Sequence, residues 1–369
     1  MNQRKLTYEQ AGVDYARIDP LKMLAQKAAQ ETAKNRRAAG CAEVEASRGE
    51  SAYVIDVGAF YLASLTECLG TKALVADEVR KITGKTYYDG IAQDTIAMAV
   101  NDVITVGARP LCIHAYWAAS GSDWFDDEQR MRDLVEGWQH TCNAIGVAWG
   151  GGETPSLEGV VAAGTVDLAA SCVGIIRPKE RLTLGRDLQP GDAIILLESS
   201  GIHANGLTLA RKLAARLPEG YATRISDGRL YGEALLDPTR IYSPVVEALF
   251  AADIAIRYMA NITGHGWRKL MRHPGTFTYR ITETPPVPPV LQFIVEQAGL
   301  TPQEAYGSLN MGAGFAVFVP ARDAERAIEV AAQNGVRAYR AGNIEEGGRR
   351  VVVEPLDVVF EGKSLELRA

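Results

Sequence analysis

Two aspartates, Asp94 and Asp102, are the first residues whose type and spacing could do chemistry. They lie eight residues apart in a stretch whose apolar residues recur at helical spacing and which Gly107 and Pro110 end, so we predict an amphipathic helix from about 94 to 106. This spacing places the two carboxylates roughly 80° apart around the helix axis, and both can project toward one broad side. A core-facing helix has no packing reason to carry two acids there, whereas a phosphate site that needs Mg2+ does.

Further acids, a lysine and several glycine-rich segments could serve the same site. Glu67 and Glu153 lie beside predicted turns, and Lys72 follows Gly70-Thr71, where it could neutralise a phosphate. Backbone N–H groups of a glycine-rich segment can approach phosphate oxygens closely. Helix capping, a tight turn or an exposed face explains any one of these features alone at least as well. The segments cover residues 150–155, 199–206, 261–266 and 309–314.

Signatures of the common nucleotide folds and of hydrolases are missing from the sequence. No segment matches the Walker pattern and no GxGxxG follows a predicted strand, so neither a P-loop nor a dinucleotide fold is supported. His203 and His265 lie in glycine-containing loops and could be catalytic. Their spacing from serine, cysteine and acidic residues does not establish a Ser-His-Asp or Cys-His arrangement.

Composition narrows the class of protein. The chain has 369 residues, which suggests about two domains. Its formal net charge of -6 gives no global attraction to nucleic acid or to an anionic membrane. No apolar run is long enough to span a bilayer, and the polar N-terminus does not resemble a signal peptide. The five cysteines have no paired spacing, which favours reduced thiols in the cytoplasm.

Strand and helix patterns alternate through the first half, which predicts an α/β or α+β architecture. We expect an N-terminal extension over 1–45, one domain over 46–176 and a second over 190–360. A proline-started helix is predicted from Pro20, and residues 150–155 are predicted as a glycine-rich turn. Strands are predicted at 52–57, 60–66, 111–117, 147–149, 166–176, 193–198 and 315–319, and helices at 94–106, 126–145, 207–217, 244–252, 267–272, 290–298 and 321–334.

Eight short motifs follow one another along nearly the whole chain, and their order is far more specific than any one of them. Together they resemble the phosphoribosylformylglycinamidine cyclo-ligase family, also called aminoimidazole ribonucleotide (AIR) synthetases. The motifs are Tyr8-Glu9-Gln10-Ala11-Gly12-Val13-Asp14, Leu69-Gly70-Thr71-Lys72, Asp94 to Pro110, Gly151-Gly152-Glu153-Thr154, Ser199 to Gly206, Pro238-Thr239-Arg240-Ile241-Tyr242, Thr263-Gly264-(x)-Gly266 and Asn310-Met311-Gly312-(x)-Gly314.

The resemblance implies a two-domain AIR synthetase-like fold, with the N-terminal domains of a homodimer pairing into a β-barrel. It also implies ATP-driven ring closure of formylglycinamidine ribonucleotide, a nucleotide substrate, in purine synthesis. It implies ATP contacts from Gly70, Thr71, Lys72 and the Gly151, Gly152, Glu153 and Thr154 segment. It implies Mg2+ ligands at Glu67, Asp94 and Asp102, and catalytic or substrate-cleft roles for His203, Asn205, Thr263 and Asn310. Phosphoryl transfer depends on positioning and charge neutralisation more than on a covalent nucleophile.

Two departures from the family pattern leave alternatives open. Glu67-Cys68 stands where the family usually has Asp-Gly, which moves a carboxylate by about 1.5 Å and replaces a glycine that a positive φ would require. Asn261 stands where the family has a histidine, and an amide does not ionise. An ATP-using paralogue, such as a kinase or a selenophosphate-synthetase-like enzyme, would fit these changes. A catalytically silent nucleotide-binding dimer would also fit them.

Overall fold

Residues 5–6, 11–12 and 15–366 are described by the computed structural model. The motif at residues 8–14 therefore lies, except for its residues 11 and 12, outside the described part of the chain. Within the described part the helices are Tyr15–Thr32 (α1), Lys72–Thr83 (α2), Tyr88–Val103 (α3), Glu128–Ile145 (α4), Leu207–Ala214 (α5), Tyr231–Leu235 (α6), Ser243–Ala251 (α7), Pro289–Ala298 (α8), Pro302–Tyr306 (α9) and Ala324–Gln333 (α10).

The strands form two sheets. They are Ala42–Glu43 (β1), Tyr53–Asp56 (β2), Tyr61–Cys68 (β3), Arg109–Ala119 (β4), Ala148–Glu153 (β5), Val166–Ile176 (β6), Ala193–Glu198 (β7), Tyr258–Asn261 (β8), Phe277–Ile281 (β9), Ala313–Val319 (β10), Ala338–Glu346 (β11), Arg350–Val353 (β12) and Val358–Glu361 (β13). Strands from both halves alternate with helices, so the predicted mixed α/β class is confirmed. No helix among residues 15–366 is both long and apolar enough to cross a membrane.

The first sheet has the order β1-β2-β3-β6-β4-β5. Its neighbouring strands are antiparallel except for β4 and β5, which are parallel. Helix α3 packs on β3 and β6 and buries nearly all of its residues. On the opposite face, side chains along β3 and β6 are only half-buried or exposed, and we call this surface the open face. Its paired residues include Leu62 and Ile175, Ser64 and Val173, and Thr66 and Ser171.

The second sheet has the order β13-β12-β9-β11-β7-β10-β8. Its neighbouring strands β7 and β10 are apolar except for Glu198 at the end of β7, and they are almost completely buried. Strand β8 lies at one edge and ends at Asn261. Because β7 and β8 both pair with β10, the loops that follow β7 and β8 begin at the same end of the sheet.

Several predicted elements differ from the structure in their bounds or type. The glycine-rich turn predicted at 150–155 is wrong, because residues 148–153 form the edge strand β5. A side chain at Gly152 would collide with the carbonyl oxygen of Ala115 on β4, so glycine permits this close pairing. The helix predicted from Pro20 begins earlier, at Tyr15. The helix predicted at 267–272 is the 3-10 helix Gly266–Met271.

Candidate active site

Helix α3 presents both of its aspartates to the second half of the chain. Asp94 accepts a hydrogen bond of 2.7 Å from the backbone N–H of Thr239, and Asp102 accepts one of 2.7 Å from the side-chain amide of Asn261. The two aspartates therefore do project toward one broad side, as their spacing predicts. Eight residues of helix separate them by about 12 Å, so they belong to two different clusters of side chains.

The first cluster is a buried ion pair. The Lys72 ammonium donates to the Asp94 carboxylate at 2.8 Å and to the backbone carbonyl of Asp237 at 2.8 Å. Both side chains of the ion pair are completely buried. Burial raises the pKa of Asp94, and Lys72 acts in the opposite direction. Protein atoms occupy the Lys72 ammonium, and Oδ2 of Asp94 has no hydrogen-bond partner among the described residues but is buried, so neither side chain offers an exposed group to a ligand in this arrangement.

The loop after β7 lies beside this cluster. Ser200 donates from its hydroxyl to the carbonyl of Pro238 at 2.6 Å, and from its backbone N–H to Nε2 of His203 at 3.1 Å. His203 has a positive φ of 62°. Burial, with a smaller effect of Lys72, lowers the pKa of His203 to about 3. The imidazole is therefore neutral at pH 7, and its Nε2 serves as a hydrogen-bond acceptor.

Asn310 fixes the same loop from the opposite side. Its Oδ1 accepts from the hydroxyl of Ser199 at 3.0 Å and from the N–H of Gly312 at 3.0 Å, and its Nδ2 donates to the carbonyl of Gly201 at 2.8 Å. These bonds occupy both ends of the amide, which gives Asn310 a positioning role here. Asn205 is half-buried, and its amide lies 3.9 Å from Sδ of Met98 on α3.

The second cluster surrounds a pocket of about 340 Å3. Glu67 at the end of β3 and Asp102 near the end of α3 line one side, and Thr263 in the loop after β8 lines another. Lys269 and Arg272 also line the pocket, and neither belongs to a motif that the sequence shows. The structure thus brings Glu67, Asp102 and Thr263 together, and it does not place Lys72, Asp94, His203 or Asn310 among the residues that line this pocket.

Glu67 and Asp102 have carboxylate oxygens without a protein partner. Among the described residues the Glu67 side chain makes no hydrogen bond or ion pair, and Asp102 uses only Oδ1, for Asn261. Burial, followed by repulsion from Asp102, raises the pKa of Glu67 to about 7. Cys68 belongs to β3 and pairs with Ala169, so it needs no positive φ, and the positive φ of 75° falls at Gly70 instead.

Lys269 is the buried cation of this pocket. It is 8% exposed, and burial, with a further effect of Arg272, lowers the pKa of its ammonium to about 8. Arg272 is held by the carbonyl of Gly49 at 2.9 Å and the hydroxyl of Ser51 at 2.6 Å. Lys269 lies only a few residues after the predicted glycine-containing loop. The spacing of its neighbours does not indicate that its side chain shares a pocket with the end of β3.

Helix α1 covers one side of the pocket with Lys22 and Gln26. Asp19 of the same helix lies 3.4 Å from Nε2 of His265. Burial, with a smaller effect of Lys269, lowers the pKa of His265 to about 2, so this contact is a hydrogen bond of a neutral imidazole. Leu21, on another side of the helix, is 67% exposed.

The remaining predicted nucleotide contacts lie on two other elements. Gly70 and Thr71 immediately precede α2, and the hydroxyl of Thr71 is buried without a partner among the described residues. The segment from Gly151 to Thr154 is exposed at the sheet edge. Strand register links Glu153 through β4 and β6 to Cys68, and three strand spacings amount to roughly 14 Å. The segment therefore lies at the same end of the sheet as Glu67 but across its width.

Comparison with known proteins covers nearly the whole chain. The sequence model of the AIR synthase related protein N-terminal domain matches residues 49–176, and that of the C-terminal domain matches residues 189–354. A phosphoribosylformylglycinamidine cyclo-ligase of Methanococcus maripaludis strain C6 is 34% identical, covering 98% of this chain and 99% of the relative. The protein of the same name from Pyrococcus furiosus is 34% identical, covering 96% and 99% of the two chains.

Solved structures with lower sequence identity share the fold. The hydrogenase maturation protein HypE in complex with ATP has a TM-score of 0.56 and 20% identity, covering 75% of this chain and 79% of that chain. AaThiL complexed with AMPPCP and TMP has a TM-score of 0.57 and 16% identity, covering 83% and 87%. T. maritima PurL complexed with FGAR has a TM-score of 0.55 and 16% identity, covering 84% and 46%.

Proposed function

We propose, because the chain belongs to the AIR synthase related protein family, that it is an ATP-dependent cyclo-ligase of purine synthesis. The reaction closes formylglycinamidine ribonucleotide to aminoimidazole ribonucleotide, with ADP and phosphate as the other products. The observation that carries this proposal is the pocket in which two carboxylates with free oxygens, Glu67 and Asp102, face a buried cation, Lys269. Phosphoryl transfer needs acidic residues that hold a divalent cation and, beside them, a positively charged group that attracts phosphate.

The pocket suits Mg2+ by the chemistry of its donors. Among the described residues no cluster of three or more His, Cys, Asp and Glu side chains has the geometry of a metal site. Mg2+ is commonly held by one or two carboxylates together with water and substrate phosphates, and the free oxygens of Glu67 and Asp102 match that pattern. We therefore assign Mg2+ binding to these two residues. Oδ1 of Asp94 is already bonded to Lys72 and Thr239, and its free Oδ2 is buried away from the pocket, so we give the Lys72–Asp94 ion pair the role of positioning α3.

The phosphates of ATP would be met by backbone groups around the start of α2. Gly70 and Thr71 precede a helix without a side-chain cap, and free N–H groups at a helix start attract phosphate. The exposed segment from Gly151 to Thr154 would contact the nucleotide from the far edge of the sheet. Mg2+, when bound, neutralises phosphate charge, and Glu67 and Asp102 would keep it beside the pocket.

The loops of the second half would hold the nucleotide substrate. Thr263 already lines the pocket, and Asn205 lies over α3 between the two clusters. His203 and Asn310 keep the loop after β7 in shape through Ser200 and Gly201. The amide oxygen of the substrate is phosphorylated by ATP and becomes a leaving group, and an amidine nitrogen then closes the ring.

A homodimer is the second part of the proposal. The edge strand β5 has no partner on its outer side within the described residues, and all six of its residues are exposed. The open face carries half-buried apolar residues, among them Leu62, Val173 and Ile175. Exposed strand edges and half-covered apolar faces favour pairing with another chain. Two such sheets from a pair of identical chains would cover both surfaces in a closed, symmetric assembly.

The domain division and the location complete the proposal. We divide the chain into an extension over 1–45 and domains over 46–176 and 190–360, since the strands of each sheet come from only one side of residues 177–189. All five cysteines are free, which is typical of a reducing compartment, and we assign the protein to the cytoplasm.

The test is turnover by the purified protein with ATP, Mg2+ and formylglycinamidine ribonucleotide. We expect aminoimidazole ribonucleotide, ADP and phosphate in equal amounts, and no product when Mg2+ is removed by a chelator. Asp102→Ala should abolish turnover while the circular dichroism spectrum stays that of the wild type. ATP consumption without ring closure would indicate a paralogue with another substrate, and binding of ATP without consumption would indicate a silent module.

A further inference from the structure

Lys269 combines deep burial with the lack of a protein partner. Its side chain makes no hydrogen bond and no ion pair with any described residue, yet the residue is 8% exposed and lines the pocket with Glu67 and Asp102. A buried ammonium without a partner is unfavourable, because it loses hydration and gains no compensating bond. An apolar residue would fill the same space at lower cost, so packing does not explain a lysine here.

The other basic side chains of the pocket are already engaged. Arg272 donates to Gly49 and Ser51. Lys22 lies 3.3 Å from Asp19 on its own helix, and His265 contacts the same aspartate. Lys269 is therefore the basic side chain of this pocket for which the described residues supply no partner.

Glu50 also lines the pocket, but it accepts from the hydroxyl of Tyr258 at 2.7 Å and lies 3.8 Å from Arg272. The other two acids of the pocket do not neutralise Lys269 directly. Neither Glu67 nor Asp102 forms an ion pair with it among the described residues, although all three line one pocket of about 340 Å3. A space therefore remains between one ammonium and two carboxylates. A phosphoryl group accompanied by a divalent cation would complement all three charges, because Glu67 and Asp102 would hold the cation and the Lys269 ammonium would donate to phosphoryl oxygens.

We propose that Lys269 is a catalytic residue that binds the phosphoryl group during its transfer from ATP to the substrate. This inference rests on the proposed function. The substrate amide oxygen forms a bond to the γ-phosphorus, the bond from that phosphorus to the β–γ bridging oxygen breaks, and ADP leaves with the electron pair. An amidine nitrogen then bonds to the former amide carbon, the carbon–oxygen bond breaks, and phosphate departs with that oxygen. The nitrogen protons displaced in the two steps pass to phosphate and solvent.

In this scheme Lys269 changes no bonds and supplies positive charge where negative charge moves. Its ammonium donates hydrogen bonds to the oxygens of the phosphoryl group, first during transfer and again as phosphate leaves. Such a contact is stronger in the transition state than with ATP alone, so it should affect kcat more than the KM for ATP. A lysine with only a packing role would affect neither.

The variants for the test are Lys269→Met, which keeps length without charge, and Lys269→Arg, which keeps charge. Lys85→Met, at an exposed position away from this pocket, is the matched control. The probe is Mg-ADP with aluminium fluoride, which imitates a phosphoryl group in transfer. We expect Lys269→Met to weaken the fluoride-dependent complex about 100-fold in calorimetry and to change the affinity for Mg-ADP alone less than about 3-fold. Lys269→Arg should recover part of the loss, and Lys85→Met should match the wild type.

Thermal unfolding and turnover separate the possible failures. Lys269→Met should keep or raise Tm, because it removes an unpaired buried charge. An unchanged fluoride complex in Lys269→Met, or a wild type that binds no fluoride complex, overturns the inference. Normal ring closure by Lys269→Met also overturns it while the proposed function stands. If the wild type forms the Lys269-dependent fluoride complex but closes no ring, the cyclo-ligase assignment fails and the phosphoryl-binding role of Lys269 is supported.

Discussion

The side-chain amide of Asn261 donates a hydrogen bond of 2.7 Å to the Asp102 carboxylate, and so joins an edge strand of the second sheet to the helix that covers the first. The contact leaves the second oxygen of Asp102 free to face the pocket. An amide does not titrate, so the Asn261 side chain remains a hydrogen-bond donor regardless of pH. Asn261, which the sequence presents as a departure from the resembled family, thus has a positioning role.

Asn261→Ala should reduce the affinity for Mg-ATP about 10-fold, the lower end of the range for loss of a residue that orients a metal ligand. Asn261→His, which restores the residue of the resembled family and keeps a donor, should lose less. Calorimetric titration with Mg-ATP at pH 7 gives both affinities. Equal affinity in all three proteins would show that Asn261 does not orient Asp102 for the metal.

Glu67→Gln should remove most Mg-ATP affinity and turnover, because the amide takes one negative charge from the proposed Mg2+ pair. Glu67→Asp keeps the charge with a shorter side chain and should retain more of both. Cys68→Gly should leave turnover unchanged, since Cys68 occupies an ordinary strand position. Unchanged Mg-ATP affinity in Glu67→Gln would remove Glu67 from the site and favour the paralogue or the silent module.

Lys72→Met should lower the free energy of unfolding by about 3–5 kcal/mol, because it leaves the buried Asp94 carboxylate without its ammonium. The double variant Lys72→Met with Asp94→Leu should lose less than this single variant, since no uncompensated charge remains. Urea unfolding followed by circular dichroism measures each difference. A double variant less stable than Lys72→Met would argue against the ion pair as the source of the effect.

The free energy of unfolding should fall as the pH is lowered from 6.5 toward 3, partly because of His203. Burial lowers its pKa to about 3 from 6.5, so the unfolded chain takes up a proton in this range that the folded chain does not. Half of the unfolded chains already carry this proton at pH 6.5, so the stabilisation is fully present only above about pH 7.5, and about 1.4 kcal/mol of it is lost by pH 5.5. His203→Asn, which tolerates a positive φ, should show a shallower decline between pH 6.5 and 5. Parallel curves for the two proteins would contradict this assignment.

Sedimentation of the wild type should give a mass of twice the 39.9 kDa of one chain. Val173→Arg places a charge on the open face and should shift the mass to one chain, because a buried unpaired charge opposes association. Val160→Arg, at a residue that is 80% exposed in a loop, is the control and should remain double. A wild type of 39.9 kDa at micromolar concentration would contradict the homodimer.

Periodicity made the placement of Asp94 and Asp102 predictable, because both positions follow from the geometry of a single helix. The same reasoning failed at residues 150–152, where a run of glycines resembles a turn. Only the neighbouring strand, with the carbonyl of Ala115 close to Gly152, shows why glycine suits a strand there. Short strands such as β8 and β9 were not predicted either, since their partners lie far away in the chain.

Lys269 could not be found from the sequence for a similar reason. Its importance comes from the pocket that a 3-10 helix of the second half shares with the end of β3 in the first, and no local sequence pattern indicates that they lie near each other. The prediction that Lys72 contacts an ATP phosphate followed from its neighbours Gly70 and Thr71. The structure turns the Lys72 side chain inward, to Asp94 and to a carbonyl of the second half.

The bonds between α3 and residues 237–242 also bear on how the chain folds as it is made. Asp94 and Thr239 are 145 residues apart, so at roughly 5–20 residues per second the ribosome adds the second partner about 7 to 30 s after the first. Throughout that interval the Lys72–Asp94 ion pair lacks residues 237–242, which complete its burial. A nascent first half must therefore keep this surface hydrated or shielded until the second half emerges, and the native junction forms late in synthesis.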